Sequence, residues 1–159
     1  MNELITAIEA MDPAVVSGIA LATSAIITIS VVVLLVRYLM QAIGYSKMYR
    51  KAGVAGWKAF VPVYNTYTNY KISWNGKLFF LYVALSIASS ALDMYTEGAM
   101  ALVAMAVSIG VIYMCVKQNV RMAKHFGKGV GTGIALILFP GITSLVLGLG
   151  KAEYTAIAE

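Results

Sequence analysis

Charge avoids four long stretches of this chain, at 15–36, 78–94, 99–116 and 130–149, and the only Asp, Glu, Lys or Arg in any of them is Asp93, at the end of the second. A helix crossing the roughly 30 Å hydrocarbon core of a bilayer needs about 20 mostly apolar residues. The four stretches therefore read as four membrane spans. At 159 residues, 60% hydrophobic and 12% charged, the chain lies far below the roughly one-quarter charged of soluble domains. The expected fold is all-α, a single membrane domain over 1–159 built as an integral membrane four-helix bundle.

The charges outside the spans are sorted by sign. Glu3, Glu9, Asp12, Asp93, Glu97, Glu153 and Glu159 lie before the first span, between the second and third, or after the fourth. Arg37, Lys47, Arg50, Lys51, Lys58, Lys71 and Lys77 fall between the first two, and Lys117, Arg121, Lys124 and Lys128 between the last two. Lys151 is the single exception among the bases. Short cytoplasmic loops retain Lys and Arg, so the pattern predicts a multi-pass protein of the cell inner (cytoplasmic) membrane with cytoplasmic loops at 37–77 and 117–129 and both termini outside. Anionic headgroups at the cytoplasmic face are the expected partners. The pI near 9.3 follows from that topology, and nucleic acid is not an expected partner. The flank MNELITAIEAMDP is acidic and the run after it too long for a cleaved leader, so the first span is expected to be retained, with Asp12 as cap and Pro13 at the first helical position.

The first loop is too aromatic for a linker. Helix one should continue through SKMYRKA until Gly53, a residue suited to a left-handed helix end. Beyond Trp57, the residues Phe60, Tyr64, Tyr67, Lys71 and Trp74 recur at helical steps, while Asn65, Thr66, Asn69 and Ser73 fall opposite. An amphipathic helix over 57–74, starting near Pro62 and lying in the interface, is predicted, because Trp and Tyr favour headgroup depth. In the second loop Arg121, Lys124 and Lys128 carry a basic face past the third span, and Gly127 ends that helix. Gly127, Gly129, Gly131 and Gly133 alternate without Walker spacing, so they read as a tight turn and close helix packing. Gly129 with Gly133, and Ser144 with Gly148, are small-xxx-small pairs. Pro140 and Gly141 should kink the fourth span and leave a carbonyl for Thr143 or Ser144 to satisfy.

Catalytic constellations do not assemble. No ionisable residue sits within the cores, which opposes coupling through a membrane carboxylate. His125 is the only histidine and reads as an interfacial residue of a cytoplasmic turn; Cys115 is alone, so neither an intrachain disulfide nor a thiolate cluster can form. No cofactor and no metal are expected.

The blocks KAGVAGWKAFVPVYNTY (51–67), KISWNGK (71–77) and AKHFGKGVGTGIALILFPGITSLVLGLGKAEY (123–154) resemble a family of small multi-pass prokaryotic membrane proteins of unassigned function, a domain also found joined to some bacterial type I signal peptidases. The resemblance implies a helical membrane domain and supplies no functional residues. A peptidase would need a Ser nucleophile with a Lys base on the outer face, and Lys151, the only Lys expected there, is followed by Thr155 but by no Ser.

The leading expectation is a non-enzymatic scaffold or accessory subunit. Its site would be the basic aromatic surface of Lys47, Arg50, Lys51, Trp57, Lys58, Tyr64, Tyr67 and Trp74 with Arg121, Lys124 and Lys128, offered to lipid or a membrane-protein partner. The alternative is a small homo-oligomeric pore or facilitator lined by Gly129 to Gly133 and by the break at Pro140 and Gly141.

Overall fold

The computed structural model describes residues 12–92 and 98–156, and these are helical with short connections. The order is α1 (Pro13–Lys51), a short 3-10 helix (Gly56–Phe60), α2 (Pro62–Ser73), α3 (Lys77–Leu92), α4 (Gly98–His125), α5 (Val130–Leu138) and α6 (Pro140–Leu149). The acids Glu3, Glu9, Asp93, Glu97 and Glu159 lie outside the described residues. Two helices, α1 and α4, are long and apolar enough to cross a membrane, and α3 is a shorter apolar helix. The chain divides into two units, Met1–Tyr38 and Leu39–Glu159.

In the first unit, Asp12 caps α1: its Oδ1 accepts the Ala14 N–H at 2.8 Å, with Pro13 opening the helix. The apolar stretch contains five hydroxyls, and each turns back on its own helix. Ser17 bonds Ala14 O, Thr23 Ile19 O, Ser24 Leu21 O, Thr28 Ser24 O, and Ser30 Ile26 O. With those donors satisfied locally, the helix presents a side surface that needs no water.

In the second unit, α1 and α4 end alike. Gly53 and Gly127 adopt left-handed φ of 72° and 67°. Val54 N bonds Tyr49 O and Lys128 N bonds Ala123 O, while Gly53 N bonds Arg50 O and Gly127 N bonds Lys124 O. Both are Schellman terminations, which a Cβ at the glycine would strain.

The stretch 130–149 is not one helix. Phe139, at φ −130° and ψ 60°, separates α5 of 9 residues from α6 of 10. Each is about 14–15 Å long, half the thickness of a hydrocarbon core. The break is closed locally: Phe139 N and Thr143 Oγ1 both donate to Ala135 O, at 2.8 and 3.0 Å, and Thr143 N donates to Phe139 O at 3.0 Å. A Cβ on Gly133 would stand 2.5 Å from Val120 Cα, so α5 runs back along α4 in close backbone contact. Helix α6 then runs beside α1, where a Cβ on Gly148 would meet Gly44 O at 2.5 Å.

The chain thereby returns to the end it left. Thr155 N bonds His125 O at 2.7 Å, and Tyr154 stacks on the His125 ring at 5.3 Å. Lys51 Nζ donates to Leu147 O, Gly150 O and Ala152 O at 2.7–2.9 Å. The ends of α1, α4 and α6 thus share one side of the unit, which corrects the expectation that residues after 149 lie opposite the basic loops. The core beneath joins Tyr45, Met48, Tyr49, Met122, Phe126, Leu136 and Leu147.

Candidate functional site

Two features stand out in the second unit: an outward basic aromatic surface and an inward polar network. Both are organised by α2, which follows an extended Val61 and opens on Pro62. The predicted aromatic stripe divides: Tyr64 of α2 is 49% exposed, as are Trp57 (56%) and Phe60 (43%) of the preceding 3-10 helix, whereas Tyr67 and Trp74 are half-buried; Trp57 meets Tyr64 edge-on at 5.5 Å. The polar side faces in, burying Asn65, Thr68 and Ser73.

The residues expected to form the basic aromatic surface divide between exposed and packed positions. Lys47, Arg50, Lys124 and Lys128 are exposed and Lys58 is half-buried near Trp57 in sequence. Lys51 leaves that surface, because its ammonium caps the carbonyl end of α6, where a cation is favoured by the helix dipole. Tyr67 packs edge-on against Phe79 at 5.5 Å. Trp74 lies beneath Lys117, 4.6 Å from its ring centre, and Arg121, at 5.6 Å. Arg121 Nε also donates to Ser73 O at 3.1 Å. Gly133 and Gly141 are buried in packing, Pro140 is half-buried at the break, and Gly129 is open.

The inward network begins at Tyr49, whose hydroxyl donates to Asn65 O at 2.8 Å and lies against Asn65 Oδ1 and, at 2.9 Å, Asn69 Oδ1. Ser73 Oγ donates to Asn69 O at 2.5 Å, and Gln118 Nε2 reaches Ser73 Oγ at 3.4 Å. His125 is buried rather than interfacial. Its Nδ1 faces Thr155 O at 2.9 Å and its Nε2 faces Ser73 O at 3.2 Å, so the ring ties the end of α2 to the C-terminal segment. Tyr154 makes the same tie through its hydroxyl, 2.6 Å from Ile72 O.

Beside this network lies a cavity of about 250 Å³. Gln41 and Tyr45 come from α1, Thr66, Asn69 and Tyr70 from α2, and Tyr82 from α3. Cys115, Gln118 and Asn119 come from α4, and Leu136, Ile137 and Pro140 from the broken hairpin. No lining residue carries a charge. Tyr70 is 2% exposed, and its hydroxyl is the one buried side-chain polar atom among the described residues without a hydrogen-bond partner. Burial, and then the proximity of Tyr82 and Cys115, raises that phenol above its ordinary range, so it stays a neutral donor. Sequence reasoning placed Asn69 on the polar side of α2 and saw the break, but it passed over Gln41, Tyr70, Gln118 and Asn119. The available signal was uncharged polar residues at the ends of apolar runs.

Among the described residues no three metal-ligating side chains cluster. Neither a curated protein nor a solved structure matches the chain. A family model described as a family of unknown function, DUF5684, matches residues 57–156, which take in α2, the cavity wall of α3 and α4, and the broken hairpin. The chain belongs to that family.

Proposed function

We propose that this chain is an integral protein of the cytoplasmic membrane that works without catalysis, as a scaffold or accessory subunit held against the anionic inner leaflet by its basic aromatic surface. In this reading α1, α3 and α4 cross the bilayer, and α5 with α6 forms a re-entrant hairpin entering from the cytoplasmic side. The observation that carries it is the inverted distribution on the surface elements. Helix α6 turns Gly141, Thr143, Ser144 and Gly148 inward with one large apolar residue, Leu147, and Ile142, Val146 and Leu149 outward. Helix α2 buries Asn65, Thr68 and Ser73 along with Tyr70 and Ile72, while its Tyr64 and, on the preceding 3-10 helix, Trp57 and Phe60 face out. Soluble domains favour the reverse, whereas in lipid small and hydroxyl residues pack inward and apolar ones face the solvent.

The exposed aromatics, with Lys58 in the same 3-10 helix and Arg50 against Gly56, suit headgroup depth, where ring bodies are apolar and cations meet phosphate. The pore reading has less support, because Gly133 and Gly141 are used in packing within one chain. Trp57 provides the test. In a Trp74→Phe background it is the only Trp, since the chain has two. In bilayers containing phosphatidylglycerol, lipids brominated near the top of the acyl chain should quench its fluorescence, and aqueous acrylamide should quench it weakly. Strong acrylamide quenching without bromine quenching would refute the anchor, and a protein partner would then be the better explanation of the exposed aromatics.

A further inference from the structure

We propose that the cavity beneath the α5–α6 break is a binding site for an uncharged polyhydroxyl group no larger than a single hexose ring. Its volume of about 250 Å³ falls under the roughly 300–1,000 Å³ of sites for drug-sized ligands, which sets the size. Its chemistry sets the class. Asn69, Gln118, Asn119 and Gln41 line it with amides, each carrying donors and an acceptor; Asn69 already bonds Tyr49 and Asn65, Asn119 Nδ2 bonds Cys115 O, and Thr66, whose hydrogen goes to Pro62 O, adds an acceptor. A ligand rich in hydroxyls is matched by such groups because it too donates and accepts at each atom. A charged ligand would find no countercharge among the lining residues, and desolvation would oppose it.

Tyr70 adds an unpartnered polar group at the cavity wall, its hydroxyl covered until the ring turns toward the cavity. Buried phenols nearly always have a hydrogen-bond partner, and this one, 2% exposed, has none within the protein. Its ring centre lies 5.4 Å from that of Tyr82, and both residues line the cavity. The hairpin adds an acceptor. Residue 140 is Pro and has no N–H, so the carbonyl of Leu136, one of the lining residues, loses its ordinary helical donor.

The chain has a single cysteine, and it lines the cavity, so its modification reports occupancy without engineering. Purified full-length protein in nanodiscs would be treated with methyl methanethiosulfonate in the presence of glycerol or glucose, or with glucosyl-diacylglycerol incorporated in the disc. Saturable protection by a neutral polyol supports the site. Protection by the soluble probes identifies a solute, and protection by the lipid alone identifies a headgroup. Glucuronate and glucosamine, charged hexoses of similar size, should protect poorly. Tyr70→Phe should raise the half-saturating concentration about tenfold, the scale of one lost hydrogen bond, while leaving unliganded thermal stability unchanged. If Tyr70→Phe does not accumulate, Gln118→Leu serves, since its bond to Ser73 Oγ is long at 3.4 Å. Absence of saturable protection by every neutral probe, equal protection by the charged hexoses, or an unchanged half-saturation in the variants would overturn the proposal.

Discussion

Tyr49 and Tyr70 are both buried phenols, yet their hydroxyls have opposite roles. A phenol has one hydrogen, so Tyr49 donates to one of the Asn65 and Asn69 oxygens around it, and its arrangement closes when an amide offers an NH2 to the phenol oxygen. Tyr49→Phe leaves those amide groups buried without their partner and should cost about 1–3 kcal/mol, read as a lower melting temperature in mild detergent. Tyr70→Phe, which removes a hydroxyl without a partner, should cost nothing in the same assay. The contrast separates loss of a bond from loss of an oxygen. Alkaline pH should act through the same chemistry at Tyr154. Burial raises this phenol while its hydroxyl donates to Ile72 O, so the folded protein favours the neutral form. Its contribution is complete below the ordinary value of about 10 and is lost as pH rises through the raised folded value. Wild-type stability should therefore fall in that window, and Tyr154→Phe should flatten the decline while lowering the plateau beneath it.

At the level of elements, periodicity made α2 legible because its aromatic and polar residues repeat at helical steps. Which side would face inward was not in the pattern, since that depends on whether the surroundings are water or lipid. The Gly53 and Gly127 helix ends were legible for a stronger reason: only a residue without Cβ adopts their positive φ without strain. The role of Lys51 was hidden. It stands among Lys47 and Arg50 in a run that reads as a solvated basic face, and only tertiary structure brings α6 within reach of its ammonium. Lys51→Met keeps the aliphatic packing but leaves Leu147, Gly150 and Ala152 carbonyls without that donor. We expect a loss of about 1–3 kcal/mol and faster limited proteolysis within 150–156, whereas Lys47→Met, on an exposed side chain, should leave both near wild type.

On the scale of the whole molecule, hydropathy identified the apolar segments but not the path through them. Twenty uncharged residues at 130–149 satisfy the length of a crossing, and the sequence also shows Pro140; what it does not show is that α5 turns back at Phe139 because Gly133 lets it lie on Val120 and Gly148 lets α6 lie on Gly44. The consequence falls on Lys151. Read as part of an outer tail, it was the one base on the wrong side, but Lys51 and His125, from the two basic loops, bond the segment that contains it. On the re-entrant path proposed above, the positive-inside rule predicts a cytoplasmic C-terminus, and Glu153 there is no objection, since acids weigh little in that rule. A reporter fused after Glu159 decides between the two paths. Green fluorescent protein should fluoresce there and alkaline phosphatase should be inactive, the reverse of what four crossings require. A Pro140→Ala variant should keep that pattern, because the Lys51 cap, the Thr155 bonds to His125 and the Gly133 contact hold the hairpin after the missing N–H is restored. Active phosphatase in the wild type would restore the crossing helix and remove the re-entrant hairpin from the proposal. Activity in Pro140→Ala alone would show that the proline, and not the packing around it, turns the chain.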